Sequence, residues 1–249
     1  MKNMTTNMSL AAALTLAMAT LGAPLAQAQT PEATPDNTFS FNAAVTSDYR
    51  YRGLSQTKLK PALQGGADYT HNPSGFYLGT WASTIKWTNE LGGNGDFEID
   101  LYGGKRGEIA SGFTYDVGGL YYWYPSNNLK PSANTFEVYG QVGFGPAYVK
   151  YSHSTTNLFG TADSKGSGYL DLGANLDVGN GFVVNLHVGR QRVANNGVYT
   201  YNDFKVGVTK DLGFASLALA VIGADTDAYV INNKDLAKTK AVVTLSKTF

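Results

Sequence analysis

The sequence predicts an all-β protein: an antiparallel transmembrane β-barrel of about twelve strands in an up-and-down meander. Three observations predict it. Segment after segment alternates apolar and polar residues with carboxylates on the polar side. The connections alternate between tight turns and long polar loops. The chain opens with an export signal and stops at a phenylalanine that completes an alternating strand.

The beginning of the chain sets the compartment. Lys2 precedes an apolar run over residues 10–21 that closes with Ala26-Gln27-Ala28, the order of a secretory signal peptide, with cleavage expected after Ala28. The run is too short for a retained span, which needs about 20 apolar residues. Residues 1–28 are therefore read as a signal peptide, 29–37 as a Pro-rich disordered leader and 38–249 as one barrel domain. Downstream no apolar run approaches the length of a spanning helix, so membrane insertion must use strands.

Composition agrees. Charged residues make up 15% of the chain, against about 25% in soluble domains, while Gly (29), Tyr (16) and Phe (12) are abundant. That mixture suits a wall with lipid outside and a polar interior. The absence of Cys excludes a disulfide scaffold and thiolate metal sites. With 19 Lys plus Arg against 19 Asp plus Glu, nothing supports nucleic-acid binding.

Period-two alternation begins directly after the leader. Phe39, Phe41, Ala43, Val45, Tyr49 and Tyr51 fall on one face, opposed by Ser40, Asn42, Thr46, Asp48, Arg50 and Arg52, which reads as one long strand. The pattern recurs at 96–106, with Phe97, Ile99 and Leu101 against Glu98 and Asp100, and at 135–144, with Phe136, Val138 and Val142 against Glu137, Tyr139 and Gln141. It returns at 169–178, 182–193 and 201–210, the last setting Phe204, Val206 and Val208 against Asp203, Lys205 and Thr209. Carboxylates on one face of so many strands would be costly in a dry core, so that face must see water. Segments 62–71, 75–87, 112–124, 147–155, 214–226 and 237–249 complete the set. Two of them, 75–87 and 214–226, are apolar on both parities, and their facing stays open.

Short turns are expected at 72–74, 106–111, 145–146, 179–181 and 212–213, and long loops at 53–60, 88–95, 125–134, 156–167, 194–200 and 227–236. Such alternation is the plan of a bacterial outer-membrane barrel with both chain ends periplasmic. Four short turns deliver Gly-Phe, at Phe76, Phe113, Phe182 and Phe214, which predicts an aromatic ring at one interface. Tyr49, Tyr51, Tyr121, Trp123 and Tyr199 are expected to form the second girdle. The last segment places Ala241, Val243, Leu245 and Phe249 on one face. It resembles the C-terminal recognition strand of outer-membrane proteins and so implies delivery to the barrel-assembly machinery. Lys247 departs from that pattern, but a lysine near the interface can carry its ammonium into the headgroup region.

The segment Ser47-Asp48-Tyr49-Arg50-Tyr51-Arg52-Gly53-Leu54-Ser55-Gln56-Thr57, followed by Lys60-Pro61-Ala62-Leu63-Gln64-Gly65-Gly66 and Gly75-Phe76-Tyr77-Leu78-Gly79-Thr80-Trp81-Ala82-Ser83, resembles the signature of TorF-type porins. These are a proteobacterial outer-membrane family of unknown function, also catalogued as Gcw_chp-like. The resemblance extends loosely over the mature chain. It implies a signal peptide, a barrel and a channel role, and it names no solute.

The alternation aims Asp48, Arg50 and Arg52 into the lumen, where charged side chains select solutes in water-filled barrels. With Asp68 they form either a charged constriction or an internal salt-bridge ladder. Asp96, Glu98, Asp100 and Glu137 are partners for Arg50, Arg52, Arg106, Lys150 or Lys205 under both readings. Trp81 and Tyr77 line the lumen if Phe76 and Leu78 face lipid, as stacking platforms or as filler. The loop around Glu90 and Asp96 is rich in oxygen ligands but lacks calcium-repeat spacing, so it reads as an external loop.

His71, His153 and His187 are accompanied by no nucleophile elbow, metal doublet or phosphate loop. An outer-membrane phospholipase needs a Ser and a His together on the lipid-facing surface; His153 with Ser152 or Ser154 is such a pair, and nothing in the spacing singles it out. No enzyme, cofactor or metal is expected. The expected function is passive diffusion of small hydrophilic solutes or ions through a narrow pore in the outer membrane of a Gram-negative bacterium, in contact with lipid and lipopolysaccharide. Pore-lining residues are expected to be Asp48, Arg50, Arg52, Asp68, Trp81, Asp100, Glu137 and Lys205. The second expectation is a closed or plugged barrel with a structural or surface-binding role.

Overall fold

Alternation with period two gives each strand two chemically opposite faces, and a sheet of such strands satisfies its backbone in lipid only by curling until its edges meet. The computed structural model describes residues 35–249 and shows that closure. The expected signal peptide, its cleavage site and most of the leader lie outside the described residues.

Twelve antiparallel strands form the ring: β1 (Asn37–Thr46), β2 (Ala62–His71), β3 (Phe76–Thr84), β4 (Phe97–Ala110), β5 (Phe113–Trp123), β6 (Thr135–Phe144), β7 (Ala147–Ser154), β8 (Gly168–Gly179), β9 (Phe182–Arg192), β10 (Tyr201–Asp211), β11 (Ser216–Ala224) and β12 (Lys240–Thr248). Each pairs with its sequence neighbours, and β1 closes on β12 from Asn42↔Thr248 to Thr46↔Thr244. Phe41 and Phe249 extend this seam by exchanging backbone hydrogen bonds of 3.2 and 2.8 Å. Tight turns and long loops alternate around the ring as expected, giving the barrel a short-turn end and a long-loop end.

Burial is inverted relative to a soluble protein. Phe39 is 68% exposed and Leu78 64%, whereas Glu98 and Asp100 are 1% and 0% exposed. Apolar side chains therefore form the outer surface, and charge sits inside. The facing left open by the sequence is decided. On β3, Phe76 and Leu78 point out while Tyr77 and Trp81 are buried inside. On β11, Leu217, Leu219 and Val221 point out, so the small residues Ala218 and Ala220 line the interior with Ile222.

Two expectations are corrected. The first strand does not run to Arg52 but ends at Thr46, and Tyr49 and Tyr51 turn inward instead of joining a girdle. The cause is Asp48, whose carboxylate accepts from the Ser55 hydroxyl (2.5 Å), Thr57 hydroxyl (3.2 Å) and Arg50 Nε (2.6 Å), folding the chain back on itself. The expected turn at 106–111 is instead mostly strand: pairing with β5 continues through Glu108↔Thr114 and a register shift to Ala110↔Phe113.

Tyrosine rings fill the interior over cross-strand glycines. A Cβ at Gly79 would stand 2.3 Å from the Tyr102 ring, and one at Gly189 would stand 2.1 Å from the Tyr169 hydroxyl. Only glycine leaves these rings room to lie along the wall.

Candidate functional site

The candidate site is the lumen at the long-loop end, and its shape begins with the Asp48 fold-back. Arg50–Tyr51 pairs with Leu54–Ser55 in a miniature hairpin whose tip is Arg52-Gly53. Both tip residues have positive φ, 45° and 80°, as a two-residue hairpin of the primed type demands. At Gly53 a Cβ would approach the Asp203 Cβ to 2.6 Å and the Gly223 carbonyl oxygen to 2.9 Å, so the tip rests directly on the β10–β11 wall.

From that tip the Arg52 side chain reaches across the lumen. It makes a bidentate pair with Glu137 on β6, at 3.0 and 2.6 Å, and donates to Gln191 Oε1 on β9 at 2.7 Å. Its guanidinium lies 4.2 Å from the Tyr169 ring and 4.8 Å from the Tyr51 ring. The ion pair is nearly dry, with side-chain exposures of 6% and 3%. Such a pair holds only when hydrogen bonds satisfy the remaining lone pairs, and the Tyr122 hydroxyl supplies one, donating to Glu137 at 3.3 Å.

Neighbouring loops secure the hairpin from outside. The Leu236 carbonyl accepts from Ser55 N (2.9 Å) and Arg50 Nη1 (3.2 Å), and the Gln56 carbonyl accepts from Lys86 N (2.8 Å) and Trp87 N (3.2 Å). Glu90, on the loop after β3, joins Lys58 of the hairpin segment to Asn232 of the loop after β11. Its bond from Lys58, then that from Asn232, hold its carboxyl below the usual range. On the same loop Asp96 accepts through Oδ1 from Lys86 (2.8 Å) and Asn89 (2.6 Å).

Below the hairpin the interior is divided. Along β3–β6 it is full: Tyr77 donates to Asp116 (2.6 Å) and is hydrogen-bonded to the Tyr139 hydroxyl, Tyr102 donates to Asp68 (2.6 Å), and Tyr49 donates to Glu98 (2.9 Å). Along β7–β12 and β1 a cavity of about 180 Å³ remains, with Trp81, Leu120 and Tyr122 bordering it from the filled side. Its lining runs from Lys150, Asp171 and His187 under the tip residue Arg52 through Lys205 to Ile222, the cross-strand neighbour of Lys205, and on to Ala218, Ala220, Val242 and Thr244. His187 bridges Asp171 (2.8 Å, Nδ1) and Asp203 (2.7 Å, Nε2). A neutral imidazole has a single N–H, so two such bonds require either a proton on both nitrogens or one on a carboxyl group.

Of the residues expected to line a pore, Asp48, Arg50, Arg52, Trp81 and Lys205 border this cavity. Asp100 and Glu137 do not. They are buried in the filled half, 0% and 2% exposed, and neither Asp100 oxygen has a hydrogen-bond partner among the described residues. Asp68 is also separate from the hairpin, since it pairs with Ser40 toward the short-turn end and is held by Tyr102. Asp171 and His187 were legible as polar-face residues and Lys150 as a partner for inward carboxylates, but their meeting depends on neighbouring strands and on the hairpin and could not be read from the sequence. Ser152 and Ser154 are buried inside β7 while His153 alternates to the opposite face, so these sequence neighbours are on different sides of the wall.

A family model described as "Bacterial protein of unknown function (Gcw_chp)" matches residues 30–249. No curated protein matches the chain. Similar solved structures include a KdgM porin, 7% identical, covering 84% of this chain and 98% of that chain with a TM-score of 0.55. A KdgM porin in complex with disordered oligogalacturonate is 8% identical, covering 85% and 98% with a TM-score of 0.53. At such identities the likeness is one of fold, and the fold is that of outer-membrane porins.

Proposed function

The chain belongs to the bacterial family Gcw_chp, whose description gives no function, and from that premise we propose that it is an outer-membrane channel for passive diffusion of small hydrophilic solutes or ions. The observation that carries the reading is a cavity bordered by charged side chains, in a porin-like barrel, beneath an inward-folded hairpin. The resemblance to TorF-type porins points the same way. In this reading the long-loop end faces the cell exterior among lipopolysaccharide, both strand termini face the periplasm, and the terminal strand ending at Phe249 is the element offered to the assembly machinery.

The constriction is the hairpin. Arg52 carries its charge to the far wall, and Arg50, held by Asp48, braces the hairpin's base. Rings of fixed charge at the narrowest point set ionic preference. The plugged-barrel reading has one observation of its own, the dry bidentate clamp between Arg52 and Glu137.

Single-channel recording of refolded protein in a planar bilayer separates them. The channel reading expects ohmic steps, and expects joint replacement Arg50→Ala and Arg52→Ala to shift the reversal potential in a salt gradient. Folded protein that shows no conductance, with or without these replacements, overturns it.

A further inference from the structure

We infer that the outer face of β7–β10, at the long-loop end, docks a lipid phosphomonoester: its phosphate is held by Arg192 with Tyr151 and His153, and an acyl chain lies in the groove below. The occupant in the membrane is lipid A. That identity rests on the outward orientation of the long loops in the reading above; the site does not depend on conduction.

The register brings the donors together. Gly168 of β8 pairs with His153 of β7 on one side and with Arg192 of β9 on the other, and all three positions share the outward parity. Arg192 Nη1 donates to the Gly166 carbonyl at 3.3 Å. A Cβ at Gly166 would stand 4.0 Å from His153 Cε1, and one at Gly168 would stand 2.2 Å from the Tyr151 hydroxyl. Three donor-bearing side chains therefore converge over one short stretch of backbone. Apart from the Arg192–Gly166 bond, none of the three has a hydrogen-bond partner among the described residues, and Arg192 enters no ion pair there.

The opposite end of the barrel supplies a contrast. Its outward cations are lysines set singly, Lys105 over Phe76 (5.2 Å), Lys210 over Phe182 (4.3 Å) and Lys247 over Phe249 (5.0 Å). Such lysines anchor a wall in the headgroup region without selecting a lipid. Arginine presents a planar fork that matches phosphate oxygens two at a time. A phosphomonoester carries roughly −1.5 to −2 charge and three strong acceptor oxygens at pH 7. A diester offers less of both, so the cluster favours the monoester.

Beside the cluster lies a groove of about 490 Å³ lined by Leu170, Leu172, Val188 and Phe204, and Leu170 follows Gly168 on the same outward face. Such a groove gives a hydrocarbon chain more contact than a flat wall does. Arg190 and Asn202 form its long-loop edge, with Arg190 donating to Asn202 Oδ1 at 2.9 Å. The two carboxylates at the groove are engaged: Asp203 by His187 and Tyr169 on the lumen side, and Asp225 by the backbone and side chain of Asn202 at 2.6 and 2.7 Å. Asp225 offsets part of the Arg190 charge, which leaves Arg192 as the principal phosphate ligand.

The test is native mass spectrometry of the full chain refolded in neutral detergent, titrated with lipid A, lipid A stripped of its phosphates, phosphatidylglycerol and inorganic phosphate. Lipid A is expected to bind on the order of tenfold more tightly than the stripped form or phosphatidylglycerol, the equivalent of ~1.4 kcal/mol, and to stay bound against an equal concentration of inorganic phosphate. Joint replacement Arg190→Gln and Arg192→Gln should reduce lipid A to the level of its stripped form, whereas Lys105→Gln with Lys210→Gln should leave the ranking intact. If a variant fails to fold, the wild-type ranking decides alone. Phosphatidylglycerol binding as tightly as lipid A, displacement by inorganic phosphate, or a folded arginine variant that keeps the preference overturns the inference. Parallel bilayer recording keeps the two readings apart: the preference in a barrel that does not conduct leaves the site and removes the channel, and a conducting barrel without the preference does the reverse.

Discussion

The two halves of the lumen are built by the same strand alternation and end in opposite states. Along β3–β6 the inward positions hold Trp81 with Tyr77, Tyr102, Tyr122 and Tyr139, the hydroxyls of Tyr77, Tyr102 and Tyr122 donating to Asp116, Asp68 and Glu137, and this region is filled. Along β11, β12 and β1 the inward positions are Ala218, Ala220, Val242, Ala44 and Thr46, and space is left. Strand number fixes the circumference of a barrel. Side-chain volume on each strand then decides where within that circumference space is left, and here it leaves a cavity to one side.

The largest expected effect comes from making the open half resemble the filled one. Ala220→Trp puts an indole into the cavity and should eliminate most of the conductance while the folded barrel still shows its heat-dependent gel shift. Unchanged conductance would mean that ions take another route. Next is Glu137→Gln, which weakens the clamp between the halves. Breaking a buried pair costs ~3–5 kcal/mol, and Arg52 already sits at a φ of 45° that disfavours non-glycine residues by ~1–2 kcal/mol. Urea unfolding of the variant should show a loss approaching the clamp's cost, together with a several-fold rise in conductance as the hairpin loosens.

The smallest effect concerns the loops that roof both halves. Glu90 has a lowered folded-state pKa, so its contribution is present above its unfolded value and is lost only as pH falls through the lower folded one. Protease sensitivity of the loop after β11 should therefore stay constant from neutral pH down to about pH 5 and rise only below the ordinary carboxylate range. In Glu90→Gln the acid step should vanish.

Much of this architecture was legible in the chain. Alternation marked the strands, Gly-Phe pairs marked exposed rings beside the short turns, and loop lengths gave the count, because each of these is a local signal. What was hidden depended on long-range meetings. Tyr49 and Tyr51 keep the parity of β1 in sequence, but a carboxylate knot at Asp48 ends the strand, and parity loses its meaning beyond it. Asp100 and Glu137 share the polar face with Lys205, yet only the size of their neighbours decides that they are sealed in while Lys205 borders the cavity. The facing of β11 was ambiguous for the same physical reason that makes it important, since a lumen wall of Ala and Ile reads like a lipid wall.

The seam between β1 and β12 has a consequence for how the molecule is made. Asn42 meets Thr248 only after the whole chain is available, whereas the hairpin follows β1 at once in sequence, and its Arg52 must reach Glu137 and Gln191 on strands that emerge later. Contacts so distant along the chain form late, because their loop entropy is met before they give any return. If the ring shut first, the hairpin would have to enter through its own mouth. If the hairpin docked first, the open sheet would wrap around it, and the obstruction would serve as the mandrel on which the barrel is rolled.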